Sequence, residues 1–83
     1  MSDWHVYILR CADGTLYTGI ATDVDARLAV HNAGKGAKYT RGRLPVALVY
    51  RETAETHSTA LKRELAIKRL PTEAKRRLLV EAP

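Results

Sequence analysis

The sequence predicts an α+β fold, with a small three-stranded antiparallel sheet flanked by helices in the order β-β-α-β-α-α. Three observations support this prediction: two strand-like segments joined by an Ala-Asp-Gly turn, helical segments bounded by caps and prolines, and 46% hydrophobic residues in 83. This length and composition fit one domain over residues 1–83, near the lower size limit for folding without disulfides or metals.

The first two strands are predicted to form a hairpin. Residues 4–10 and 15–20 are rich in aromatic and β-branched side chains, and residues 46–50, after a proline, give the third strand. A two-residue turn would place Tyr7 and Tyr17 on opposite faces of the sheet, whereas a three-residue loop would place both on one face. We predict the three-residue loop.

Three helices are predicted from periodicity, caps and breakers. The first covers residues 23–33, with Thr22 as its N-cap and a glycine as its stop, and it leads into a basic, glycine-rich loop over residues 34–43. The second runs over residues 58–70, where a proline ends it, and a short basic helix over residues 72–80 follows.

The net charge of +5 is unevenly distributed along the chain. Residues 1–26 carry one arginine against four aspartates, whereas residues 27–63 carry eight lysines or arginines against two glutamates. Residues 64–83 carry five basic side chains against three acidic ones. A concentrated positive segment is typical of a protein that binds a polyanion such as DNA, although some small proteins are basic for solubility alone.

The sequence gives no sign of a membrane or secretory destination. It contains no apolar run long enough to span a bilayer, and its first residues lack the pattern of a signal peptide. Its single cysteine, Cys11, cannot form an internal disulfide. We therefore expect a cytoplasmic protein without membrane partners.

Polar side chains fall on the helix faces that should pack against the sheet. The inward stripe of the first helix contains Val24, Arg27, Leu28 and His31. The inward arc of the second helix contains Ala60, Leu61, Leu65 and Ile67. Glu64 falls inside that arc, and Lys68 lies one turn further on. A carboxylate on a buried face is costly unless it is paired or binds a metal, so Glu64 is the most informative of these residues.

Each of these residues also has a purely structural interpretation. Glu64 could pair with Lys68, or reach Arg27 as a salt bridge, instead of holding a metal. His31 could be an ordinary hydrogen-bonded histidine, and Arg27 could extend over the sheet toward solvent. The two hairpin tyrosines could be ordinary cross-strand packing partners.

Two tyrosine-containing motifs on the hairpin, together with the arginine of the first helix, are the next candidate functional residues. Val6-Tyr7-Ile8 and Tyr17-Thr18-Gly19 lie on the predicted hairpin, and Arg27 follows the second motif's tyrosine by ten positions. This arrangement resembles the GIY-YIG endonuclease superfamily, whose Gly-Ile-Tyr and Tyr-Ile-Gly motifs stand at these two places. Arg27 matches the family's catalytic arginine, Glu64 its metal-binding glutamate, and His31-Asn32 a variant of the motif that follows the arginine.

The resemblance extends over residues 4–79 and is nearest to the family's small stand-alone bacterial branch, which Lys38-Tyr39-Thr40 and residues 64–70 also resemble. The His-Asn variant is similar to that of the eukaryotic junction-cleaving and flap-cleaving subunits. Ile20 stands where the repair-excision branch has a lysine thought to help deprotonate tyrosine. The group that activates water in this chain is therefore left open.

The resemblance implies a metal-dependent endonuclease that hydrolyses DNA, with repair or recombination as the expected setting. Its implied catalytic residues are Tyr7, Tyr17, Arg27, His31 and Glu64. Glu64 would hold a single Mg²⁺ or Mn²⁺ ion, and Arg27 would bind phosphate oxygens. Tyr7 would be the general base or water positioner. Separately from the resemblance, His31 could accept the proton through Tyr7 or directly, because the pKa of a histidine is naturally near neutral.

The basic loop is the predicted grip on nucleic acid. In this interpretation, phosphates are contacted by Lys35, Lys38, Arg41 and Arg43. Tyr39 would stack on an exposed base. The alternative is a solvated, mobile basic surface that binds nothing.

Two other functions fit parts of the pattern. One is a catalytically silent DNA-binding module within a larger complex, in which a protein partner supplies specificity. The other is a basic RNA-associated or ribosome-associated protein, which leaves the inward Glu64 unexplained. The complete set of family residues favours the nuclease.

Overall fold

The structure is a computed structural model that describes residues 3–81. A three-stranded antiparallel sheet lies in the middle, with the strand order β2 (Leu16–Ala21), β1 (Trp4–Arg10) and β3 (Ala47–Ala54). The helices are α1 (Val24–Asn32), α2 (Lys38–Arg41), α3 (His57–Lys68) and α4 (Thr72–Glu81). None of the helices in the described part of the chain has the length and hydropathy to cross a membrane. The predicted fold class and element order are confirmed, with α2 as an extra turn of helix inside the segment predicted to be a loop.

The β1–β2 hairpin has the register that a three-residue loop requires. Gly14 closes the loop in the left-handed conformation, with a φ of 85° that suits glycine. Leu9 lies opposite Tyr17, and Tyr7 lies opposite Gly19. Because residues that face each other across two strands project from the same side, both tyrosines share one face of the sheet, as predicted.

The sheet separates two cores. The face toward α1 buries Tyr7, Leu9, Cys11, Ala21, Val24 and Val46. The face toward α3 and α4 buries Val6, Ile8, Ala60 and Ile67. Each fully buried aliphatic side chain contributes about 1.5–3 kcal/mol relative to an exposed one, so both layers of helix are held mainly by apolar burial.

The ends of several elements differ from the predicted ones, including α3, which ends at Lys68 and not at the predicted residue 70. Asp23, and not Thr22, is the N-cap of α1, because the Asp23 carboxylate accepts a hydrogen bond of 3.0 Å from the N–H of Ala26. β3 continues past the predicted residue 50 to Ala54, because its second half pairs with the first half of β1. Gly34 follows the end of α1 with a φ of 77°, as the predicted stop.

The buried face of α3 is narrower than predicted. Ala60 and Ile67 are fully buried, whereas Leu61 and Leu65 are 43% and 49% exposed. The prediction that both leucines face inward is therefore wrong, because α3 contacts the sheet along the single stripe of positions i, i+4 and i+7. Glu64 occupies the middle of that stripe and is half-buried.

Candidate active site

The side of the hairpin that faces α1 carries a cluster of three rings. The centroid of the Tyr7 ring lies 6.5 Å from that of Tyr17 and 6.1 Å from that of His31, and the last two are 5.2 Å apart. Tyr7 and His31 are buried and Tyr17 is half-buried. The hairpin register supplies the tyrosines, and His31 reaches them because it lies two helical turns after the buried Val24.

A continuous hydrogen-bond chain runs through His31. Its Nε2 lies 3.0 Å from the Tyr7 hydroxyl, and its Nδ1 lies 2.9 Å from Oγ1 of Thr40. The Thr40 hydroxyl donates its single proton to the Ala37 carbonyl over 2.9 Å, so it must accept from the Nδ1–H of His31. In the neutral ring Nε2 is then the acceptor, and the Tyr7 hydroxyl donates to it.

Burial keeps the two titrating groups of this hydrogen-bond chain, Tyr7 and His31, uncharged. Burial raises the pKa of Tyr7 to about 12, with Tyr17 adding to the rise and the Arg27 guanidinium opposing it. Burial also lowers the pKa of His31 below its usual value, and the Arg27 charge lowers it further. At neutral pH the pair is therefore a phenol that donates to a neutral imidazole.

Two glycines leave room for this cluster. A Cβ atom at Gly19 would lie 2.6 Å from the Tyr7 hydroxyl oxygen and 3.1 Å from the Tyr17 ring. A Cβ atom at Gly36 would overlap the His31 ring and lie 2.9 Å from its Cα. Neither glycine has a positive φ, so at both positions the missing side chain is what matters.

Arg27 on α1 and Glu64 on α3 both influence the pKa of Tyr7. After burial and Tyr17, the further influences on the pKa of Tyr7 are Arg27, which lowers it, and Glu64, which raises it. Glu64 pairs with Lys68 over 3.6 Å, and the Lys68 side chain is 48% exposed, so solvent weakens the pair. Among the side chains that the structure describes, no carboxylate forms an ion pair with Arg27. Of the two structural alternatives for Glu64, the pair with Lys68 is therefore observed and the bridge to Arg27 is not.

A metal ion at this place would have one protein ligand. Within the described residues, no group of three or more His, Cys, Asp or Glu side chains is arranged to hold a metal. Mg²⁺ commonly binds through one or two carboxylates together with water and substrate phosphates. The half-buried Glu64 carboxylate therefore fits Mg²⁺ or Mn²⁺, whereas a structural zinc ion would need more ligands.

Three of the predicted phosphate contacts lie on the surface. Lys35, Lys38 and Arg41 are exposed, and α2 carries the last two. Arg41 also donates from its Nε to the Gly36 carbonyl over 3.2 Å, which holds the loop over His31. Their contact with phosphate stays a prediction.

Arg43 is engaged within the protein. Its Nε donates to the Asp13 carboxylate over 3.0 Å and one terminal nitrogen donates to the Tyr39 carbonyl over 2.7 Å. Its guanidinium also lies 4.1 Å from the centre of the Tyr39 ring, and that ring stacks on Tyr17 at 6.1 Å. Arg43 therefore holds Tyr39 beside the site and has less freedom to contact a phosphate than predicted.

Sequence reasoning missed Thr40 and the two glycines as parts of the site. Thr40 is fully buried and lies nine residues after His31, a spacing that matches no helix or strand period. Only the path of the loop through α2 brings it to the imidazole. Gly19 is part of the Tyr-Thr-Gly motif, but its role depends on the position of the Tyr7 ring across the sheet, which the sequence does not give.

Comparison with known proteins identifies the family. Residues 3–77 match the family model of the GIY-YIG catalytic domain. The chain belongs to the GIY-YIG family. It is 58% identical over 77 residues to a UPF0213 protein of Desulfotalea psychrophila, covering 92% of this chain and 70% of that protein. It is 56% identical over 81 residues to a UPF0213 protein of Staphylococcus aureus, covering 98% of this chain and 99% of that one.

Two solved structures share this GIY-YIG fold. A UPF0213 protein of Bacillus halodurans, determined by NMR in solution, is 44% identical with a TM-score of 0.63, covering 96% of this chain and 85% of that one. A protein of E. faecalis, also determined by NMR, is 42% identical with a TM-score of 0.62, covering 95% and 83%. The match to a GIY-YIG catalytic domain indicates a nuclease, with DNA as substrate and divalent metal ions as the family's usual cofactor.

Proposed function

We propose that this protein is a divalent-metal-dependent endonuclease that hydrolyses phosphodiester bonds of DNA. The observation that carries the proposal is the hydrogen-bond chain from Tyr7 through His31 to Thr40. A buried phenol that donates to a neutral imidazole, and whose pKa responds to Arg27 and Glu64, is suited to moving a proton next to a phosphate.

Tyr7 and His31 would remove the proton of the attacking water together. The Tyr7 oxygen accepts a proton from water while its own hydroxyl proton moves to Nε2 of His31. Because the pKa of Tyr7 is about 12, a preformed phenolate is scarce at neutral pH, and the concerted transfer avoids it. His31 thereby takes the role of the proton acceptor that the chain lacks at Ile20.

The remaining groups would stabilise the charge that develops on phosphorus. As water bonds to phosphorus and the bond to the leaving 3′ oxygen breaks, Arg27 binds the phosphate oxygens with its planar guanidinium. Glu64 is the residue that would hold one Mg²⁺ or Mn²⁺ ion, which supplies positive charge to the phosphate and the leaving oxygen when bound. Tyr17 packs against His31 and completes the rim of the site.

The setting we propose is DNA repair or recombination in the cytoplasm. A domain of this size offers little surface for selecting a DNA site, so we propose that a protein partner supplies specificity. The basic loop with Lys35, Lys38 and Arg41 would contribute general affinity for the phosphate backbone.

The test is cleavage of labelled single-stranded, duplex, flap and junction DNA in Mg²⁺, Mn²⁺ or EDTA. Wild type is compared with Glu64→Gln and Arg27→Ala, and with the control variants Glu55→Gln and Arg77→Ala, which change exposed residues outside the site. We expect metal-dependent cutting that both site variants lose and both controls keep. DNA binding without cutting of any substrate would favour the silent binding module.

A further inference from the structure

Two shallow grooves adjoin on the surface next to Tyr17. Their volumes are about 390 Å³ and about 360 Å³, and both are lined by Leu16, Tyr39 and Lys75. The first reaches Tyr17 on β2, and the second reaches Arg76 on α4. The shared residues make them one continuous depression that leads from the edge of the candidate active site to the start of α4.

The walls of this depression are positively charged. Of the lining residues that the structure describes, Lys68, Lys75 and Arg76 are basic and Asp13 is acidic. Lys68 also pairs with Glu64 over 3.6 Å, so Lys75 and Arg76 carry most of the uncompensated positive charge. The Asp13 carboxylate already accepts from Arg43 over 3.0 Å and from the Thr15 hydroxyl, so its charge is largely compensated. An excess of positive charge is left facing solvent, which is complementary to a chain of phosphates.

An aromatic ring stands where the two grooves meet. Tyr39 is 40% exposed, and its ring is fixed by the Arg43 guanidinium on one face and by stacking near Tyr17. The exposed part of the residue lines both grooves, where a ligand can contact it. Fixed aromatic rings in basic grooves bind unpaired bases, because every base has a flat face that a paired and stacked base cannot offer.

We propose that this depression holds a single-stranded DNA segment that leads away from the reacting phosphate. Lys75 and Arg76 contact its phosphates, and Tyr39 contacts a base. The inference rests on the proposed nuclease function for the direction of the strand, but the binding itself does not depend on cleavage.

The test measures binding of a fluorescent oligo-dT strand by anisotropy, in EDTA, over a range of salt concentrations. The double variant Lys75→Gln, Arg76→Gln is compared with Lys62→Gln, Arg77→Gln, which removes equal charge from exposed positions outside the groove. In the groove variant we expect the slope of log K against log salt to become shallower by about 1.4, since each lost single-strand phosphate contact removes about 0.7. The control should keep the wild-type slope, and a charge-keeping exchange of Lys75→Arg with Arg76→Lys should keep the affinity.

The outcomes distinguish a failure of the groove proposal from a failure of the proposed nuclease function. Equal binding by both double variants, or no binding of the strand by wild type, overturns the groove proposal even if the protein cuts DNA. A difference in binding by a protein that cuts nothing supports the groove and contradicts the nuclease. If the charge-keeping exchange binds as weakly as the groove variant, the charge argument fails.

Discussion

On one side of the central sheet, Val6 and Ile8 pack against α3 and α4, and the fully buried side chains there are aliphatic. On the other side, the same strand buries Tyr7, whose hydroxyl joins a hydrogen-bond chain through His31 and Thr40. Burying polar groups is costly unless each one is hydrogen-bonded, and Tyr7, His31 and Thr40 each have a partner. The fully buried side chains of the first face therefore serve stability, and those of the second form a polar arrangement that a merely stable core would not need.

Alternation along β1 connects the two faces. Neighbouring residues point to opposite sides, so a shift of one residue would exchange the polar and aliphatic sets. The comparison predicts that changes at Tyr7 affect cleavage more than stability, and that changes at Ile8 do the reverse.

The largest expected effect is that of Tyr7→Phe on cleavage. Loss of the hydroxyl removes the group that exchanges protons with water, so the rate should fall by about 10²- to 10⁴-fold. The free energy of unfolding should fall by only about 1–3 kcal/mol, because one buried acceptor on His31 is left without a partner. Cleavage assays measure the rate, and urea denaturation measures the free energy of unfolding. If the variant cuts DNA at the wild-type rate, Tyr7 has no catalytic role.

On the aliphatic face, Ile8→Ala should lower the free energy of unfolding by about 2–5 kcal/mol through the cavity it leaves. The rate of cleavage per folded molecule should not change. Leu65→Ala is the control, since this exposed leucine should contribute within about 0.5 kcal/mol. A loss of cleavage by folded Ile8→Ala protein would show that the two faces are not independent.

Thr40→Val should slow cleavage by about 10-fold, a typical cost of losing a group that orients a reacting side chain. Without the Thr40 hydroxyl, the Nδ1–H of His31 is no longer fixed, and part of the population holds the other tautomer. Ring ¹⁵N NMR shifts of His31 report the tautomer, which a purely structural role would not move. Thr40→Ser should restore both rate and tautomer, and an unchanged tautomer in the valine variant would contradict the assignment.

The smallest expected effect is the pH dependence of stability. Because burial, and then Arg27, lower the pKa of His31, the unfolded chain binds the proton more readily than the folded protein. Stability should therefore fall as the pH drops from about 7 to about 5, through the ordinary histidine range. The two side chains that hydrogen-bond to the His31 ring, Tyr7 and Thr40, are uncharged, and Arg27 is the cation that lowers the pKa of the ring.

Urea denaturation at both pH values, in wild type and His31→Gln, measures this contribution. The variant should lose less stability on acidification. An equal loss in both proteins would assign the pH dependence to other groups.

Much of this arrangement could be predicted from the sequence, because it follows local rules. The Ala-Asp-Gly turn determines the hairpin register, and the register places Tyr7 and Tyr17 on one face. Helical spacing brings His31 inward and places Glu64 on the buried stripe of α3. Each of these inferences needed only the neighbouring residues in the chain.

The features that could not be predicted depend on contacts between distant segments. The exposure of Leu61 and Leu65 depends on how closely α3 approaches the sheet, which periodicity does not give. The pairing that engages Arg43 within the protein could not be predicted, because its partner Asp13 lies thirty residues away in the sequence. Thr40 is an ordinary small polar residue until the fold brings it to the imidazole.

The narrow space at Gly19 limits how the site around Tyr7 could be transferred to another protein. The Tyr-Thr-Gly motif lies on one strand, but its glycine lies against Tyr7 on the neighbouring strand. The Tyr7 hydroxyl would collide with any side chain at the glycine position. Grafting either strand alone would displace the hydroxyl from His31, since a precise site depends on the residues that support it. A donor fragment must therefore carry both strands in register, as a cross-strand pair and not as a linear motif.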